Sequence, residues 1–167
     1  MVDTIDRPST AHRPNSRYDI DFFAWTQAQA AVLRAAARSG VNLPIDWENL
    51  AEEVESLGRA DIVALKSRLR TIMEHLLKLE FSPAIDPRPS WRETVTRARI
   101  EFEELIDESP SLKQRVEDWI DQQQPRAARL VLRNMADHSE LSNPVETCIR
   151  ERRYSAAETL GDWFPPA

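Results

Sequence analysis

The sequence predicts an all-α fold: a single domain packed as a bundle of five or six amphipathic helices joined by short loops. Three observations predict it. Apolar residues recur at helical spacing along most of the chain, and no segment alternates with period two. Only three glycines occur in 167 residues, Gly40, Gly58 and Gly161, too few for a turn-rich β protein. The composition is 41% hydrophobic and 30% charged, with Ala, Leu, Arg, Glu and Gln prominent, which are good helix formers. That length is about one domain and buries enough surface to fold without staples.

Residues 1–17 carry Pro, Ser, Thr and charge without periodicity, so they are expected to form a disordered tail, leaving 18–167 for the bundle. A first helix is predicted from Asp19, whose carboxylate can cap free backbone N–H groups, to Gly40. Its apolar face holds Phe22, Trp25, Val32, Leu33 and Ala36. A second helix is predicted to start at an Asp46 cap, with Ile45 and Leu50 at the spacing of a hydrophobic staple, and to stop at Gly58. Trp47, Leu50, Ala51, Val54 and Leu57 form its stripe. A third runs from Asp61 to Phe81 on Ile62, Leu65, Leu69, Ile72, Met73 and Leu76. The prolines of "SPAIDPRP" then force a loop.

Ser90 to Glu93 reads as a capping box opening a fourth helix, with Trp91, Val95, Ala98, Phe102, Leu105 and Ile106 inward. "SPS" at Ser109–Ser111 opens a fifth, with Pro110 in its first turn and Leu112, Val116, Trp119 and Ile120 inward. Pro125 predicts a kink or a division into two helices, with Ala127, Leu130 and Val131 continuing the core face. The C-terminal stretch holds one short helix from a Ser155–Glu158 capping box, and Trp163 and Phe164 are expected to dock on the bundle.

Net charge is −6, which disfavours binding to phosphate backbones. The densest basic run, "RERR" with Arg150, Arg152 and Arg153, reads as a solvated turn. Cys148 is the only cysteine, so no intrachain disulfide forms, and it reads as a small apolar filler. No secretory h-region and no span of about 20 apolar residues is present, so a cytoplasmic location without membrane partners is expected.

The segment "IDWENLAEEVESLGR" concentrates the acid. Glu48, Glu52 and Glu55 fall within about 60° on the helical wheel, with Glu53 on the opposite flank. Three readings stand. The face is solvated. Or it meets Arg92 or Arg99, which share one flank of the fourth helix, as Arg68 and His75 do in the third, in a register-fixing ion-pair network. Or Glu52 and Glu55 hold a divalent cation with His75 as general base, in a hydrolase acting on phosphate esters. The second acidic run offers Glu104 and Asp107, but Glu101 and Glu104 turn away from the apolar stripe and read as solvated, and Lys78 is expected to reach water. Gln29 sits amid the first apolar stripe, where a buried amide needs a partner: either it bonds a buried polar group, a carboxylate of the second helix being the expected one, or it opens onto a cavity. Trp25, Trp47, Trp91 and Trp119 read as core residues. No phosphate loop or nucleophile elbow exists. With no complete catalytic constellation, the expected role is a protein-interaction or self-association module, with a protein partner or homo-oligomer and no cofactor. The metal-dependent hydrolase is the alternative.

The ordered series "YDIDFFAWTQAQAAVLR", "DWENLAEEVESLGR", "LKSRLRTIMEHLLKLEFSP", "SWRETVTRARIEFEELIDESPSLK" and a terminal "WFP" resembles the bacterial family called domain of unknown function 29, over residues 18–167. The resemblance implies an all-helical bacterial fold and no assigned activity. The chain departs from the family's Pro-x-x-Cys-Pro-aromatic turn. Pro144 and Cys148 are further apart and no proline follows Cys148, so a role tied to that turn does not carry over.

Overall fold

The computed structural model describes residues 16–40 and 43–166. These form α1 (Arg17–Ile20), α2 (Phe22–Arg38), α3 (Trp47–Phe81), α4 (Arg88–Glu108), α5 (Val116–Asp137), α6 (Asn143–Glu151) and α7 (Ala156–Leu160), with a 3-10 stretch over Pro110–Arg115 leading into α5. No strand occurs among the described residues. Residues 1–15 of the expected tail lie outside the described residues, and Arg17 already belongs to α1.

The predicted first helix divides at Asp21, which sits in extended backbone. Asp21, not Asp19, caps α2: its Oδ1 accepts from Ala24 N at 2.8 Å, and its Oδ2 accepts from Ser111 N at 2.7 Å. One carboxylate thus starts a helix and ties it to the segment before α5. Asp19 instead takes the Ser16 hydroxyl at 2.7 Å. Gly40 ends the run at φ +71°, as expected of a left-handed cap.

The predicted second and third helices are one 35-residue helix, α3. Asp46 caps it, accepting from Asn49 N at 3.2 Å. Ile45 and Leu50 are 41% and 42% exposed, so no buried staple accompanies the cap. Gly58 is not a terminator. It lies buried at mid-helix, where an added Cβ would collide with the Thr26 hydroxyl and stand 3.0 Å from the Phe23 ring. The missing side chain sets how closely α2 approaches α3.

α4 starts at Arg88 behind Pro87, so Ser90 lies inside the helix and its carbonyl accepts from Thr94 Oγ1. Ser109 is fully buried and cross-links elements: its Oγ accepts from Phe23 N at 3.1 Å and donates to Asp61 at 3.4 Å. α5 runs unbroken through Pro125 rather than dividing there. Pro125 and Asp121, whose carbonyl loses its donor, are both exposed, where water can replace the missing N–H. Leu130 is 44% exposed rather than inward. α6 is a helix that the sequence periodicity does not predict. That helix turns Ile149 into the core and leaves Cys148 exposed rather than packed.

Leu65, Leu69, Ile72, Met73 and Leu76 of α3 pack with Val95, Ala98 and Phe102 of α4 and with Trp119, Ala127 and Val131 of α5. Of the four tryptophans read as core, only Trp119 is fully so; Trp25, Trp47 and Trp91 are half-buried. α4 ends beside Asp61, and α5 begins beside Lys66, which bonds Gln122. The body therefore uses α3 only from about residue 61 onward. Residues 47–60, about 20 Å of helix, run past the body with α2 antiparallel alongside, joined at Thr26–Gly58 and at Arg34–Glu55. The molecule is a three-helix body with a two-helix arm.

Candidate functional site

The arm has two unlike sides. On one, Arg34 of α2 donates to Glu55 of α3 at 2.6 Å, and Arg59 stands 3.6 Å from the same oxygen. The Arg34 hydrogen bond holds the Glu55 carboxyl below the usual range, and Glu55 raises the Arg34 guanidinium above its own. Glu48 and Glu52 are exposed on the same face and add to the field at Arg34 without bonding it. The cation beside the acidic face is therefore Arg34, not Arg92 or Arg99. Sequence reasoning missed it because a position flanking an apolar stripe does not say which helix it faces.

Arg92 and Arg99 belong to another place. Their guanidiniums lie 4.7 and 4.9 Å from the centre of the Phe164 ring. Arg99 donates to the carbonyls of Thr159, Glu158 and Trp163 at 2.8–2.9 Å. Two of these are carbonyls at the end of α7, which so short a helix cannot satisfy itself. Burial lowers the Arg99 pKa, with the charge of Asp162 opposing.

A second cluster holds the same C-terminal segment. Arg152 reaches both Glu80 oxygens at 3.1 Å and Glu158 at 2.7 Å, so this member of "RERR" is not solvated. The Tyr154 hydroxyl donates to Glu80 at 2.8 Å, and burial, then Glu80, raises its pKa. The buried Gln124 amide pairs with both backbone groups of Tyr154. Glu158, bonded to Arg152 and to the Ser155 N–H, is pulled down to about 2. The capping box at Ser155 is present as expected, and Trp163 and Phe164 pack on the core. No sequence signal marked Glu80, Gln124 or Tyr154, which are brought together only by tertiary packing.

The residues of the metal reading do not converge. Glu55 and His75 sit on one helix, twenty residues or about 30 Å apart. His75 Nδ1 lies 2.9 Å from the Thr71 carbonyl of its own helix. Glu55 is engaged by Arg34 and Glu52 points to solvent, so the pair does not form a cation's oxygen cage. No group of three or more His, Cys, Asp or Glu among the described residues is placed to hold a metal ion. Lys78 is held by Glu74 at 2.7 Å and only 12% exposed, instead of reaching water. Arg68 pairs with Glu101 at 2.7 Å, which removes Glu101 from the solvated set; Glu104 is exposed, and Asp107 pairs with Lys113.

The other side of the arm is apolar. On α3, Leu50, Val54 and Leu57 span about 60° and lie roughly opposite the arc of Glu48, Glu52 and Glu55. On α2, Trp25, Gln29, Val32 and Ala36 span a similar arc, roughly opposite Arg34. Because Arg34 meets Glu55, the two charged arcs share one side of the arm, and the two apolar arcs share the other. Val32 is 61% exposed and Leu57 50%. Gln29, expected to bond a carboxylate of the neighbouring helix, is half-buried in this arc and makes no hydrogen bond among the described residues. The Trp47 indole N–H is buried and likewise unpaired.

A family model described as "Domain of unknown function DUF29" matches residues 17–164. No curated protein matches the chain. Among solved structures, an alpha-helical protein of unknown function from Rhodospirillum rubrum ATCC 11170 is similar. It is 25% identical, with a TM-score of 0.73, over 89% of this chain and 91% of that one.

Proposed function

The chain belongs to the DUF29 family, and from that premise we propose that it is a non-catalytic helical interaction module that docks another protein chain on the apolar side of its α2–α3 arm. One observation carries the reading: the arc of Val32, Leu50 and Leu57 stays open where the body ends. An amphipathic helix is stable when its apolar stripe is buried against another element, and apart from Tyr18 of α1 against Trp25 at the base, each helix of the arm has only the other as neighbour. Contiguous exposed apolar surface is a mark of an interaction site. The net charge of −6 argues for a protein partner over nucleic acid. No helix among the described residues is long and apolar enough to cross a membrane. Under this reading the module needs no cofactor and works in the cytoplasm, where Cys148 stays a thiol.

The test is capture by the full-length protein against its Leu50→Glu/Leu57→Glu variant, with circular dichroism on both. The variant is expected to keep its helicity and melting temperature and to lose every chain, itself or another, that the native protein holds. Native protein that retains no chain, or a variant that unfolds, would overturn the reading; unfolding would mean that the arc is intramolecular core.

A further inference from the structure

We infer that the chain covering this arc is a second copy of the protein, packed arm to arm as an antiparallel four-helix bundle with Gln29 meeting its symmetry mate. The inference rests on the interaction-module reading and names its occupant. Three observations select a second copy. The first is charge. A chain of net charge −6 repels itself, yet Trp25, Gln29, Val32, Ala36, Leu50, Val54 and Leu57 include no charged side chain. Of the arm's charges, Arg34, Glu48, Glu52, Glu55 and Arg59 lie on the far side, and Glu53 flanks the arc beside Leu50 and Leu57. A partner chosen by charge would find nothing to read within this arc, whereas a copy meets it as one uncharged surface on another.

The second is Gln29. The residue is half-buried, its amide reaches solvent and makes no hydrogen bond among the described residues, and it lies near the middle of α2. A primary amide is donor and acceptor at once, so two of them related by a two-fold axis satisfy each other. A single polar residue in an apolar helix seam is also how helical bundles fix register. The third is what that axis brings together. With α2 antiparallel to its mate and Gln29 at the axis, the tip of each arm, Leu43 and Ile45, 54% and 41% exposed, meets the base of the other, Tyr18 and Ile20, 47% and 55% exposed. The two bodies then lie at opposite ends. A face two helices wide and about 25 Å long covers about 500 Å² on each copy, about 1,000 Å² in all. That is the lower limit for a specific interface, so the dimer is expected to dissociate on dilution.

Sedimentation of the full-length chain over a hundredfold concentration range tests the occupant. The expected mass rises with concentration towards twice 19.2 kDa, and Val32→Glu weakens association at least tenfold. In a Cys148→Ser background, Gln29→Cys is expected to form a disulfide-linked dimer under mild oxidation, while Glu52→Cys on the charged side does not. A monomer at every concentration overturns the inference and leaves the module reading to partner capture. A dimer insensitive to Val32→Glu overturns both. A dimer lost in Val32→Glu but not cross-linked at position 29 overturns the Gln29 axis while supporting the arm as the docking face.

Discussion

Gly58 is where a single residue changes the architecture. A glycine after an amphipathic stretch reads as a helix stop, because the left-handed cap favours it. Here Gly40 does that job at φ +71°, and Gly58 does a different one, admitting Thr26 and Phe23 against the α3 backbone. Sequence gives both the same letter; only the partner helix distinguishes them. Gly58→Ala separates the two roles. Alanine is the better helix former by about 1 kcal/mol, so an exposed mid-helix glycine would gain stability. Overpacking costs about 1–3 kcal/mol, and urea unfolding is expected to show a net loss. Glu55→Ala is expected to shift the same midpoint less than Gly58→Ala does, since partly exposed ion pairs contribute little.

At the scale of elements, the short α7 is held from outside. Arg99 takes its end carbonyls, and Arg152 links Glu158 of α7 to Glu80 of α3. Arg152→Ala is expected to cost on the order of 2 kcal/mol, the scale of hydrogen bonds to charged groups, and to expose Trp163 to fluorescence quenchers. Glu158 sets the acid limit. Its folded pKa, about 2, is below the ordinary 4.5, so its contribution is complete above about 4.5 and is lost as pH falls towards 2. Trp163 emission is expected to shift over that window in the native protein and not in Glu158→Gln. The capping box at Ser155 was legible because it is local in sequence. The clamp that uses the same glutamate was not, because Glu80 and Arg152 are seventy-two positions apart.

At the scale of the molecule, the all-α class, most of the core stripes and the docked Trp163 and Phe164 were legible, since helical periodicity records what each helix buries. How far the body extends was not. The stripes of Trp25, Val32, Leu50 and Leu57 look like those of Leu65 and Leu69, yet the first set lies beyond the reach of α4 and α5. The acidic face was legible as a cluster but not in its partner, since Arg34 and Glu55 meet only because α2 folds back on α3. The apolar side of the arm is therefore expected to be buried in the working protein. Hydroxyl-radical footprinting measures that directly. In native protein at high concentration with its captured partner, Trp25, Leu50 and Leu57 are expected to be protected relative to the Leu50→Glu/Leu57→Glu variant at Trp25, and relative to diluted protein at all three. Equal labelling of these side chains in every sample would contradict the account.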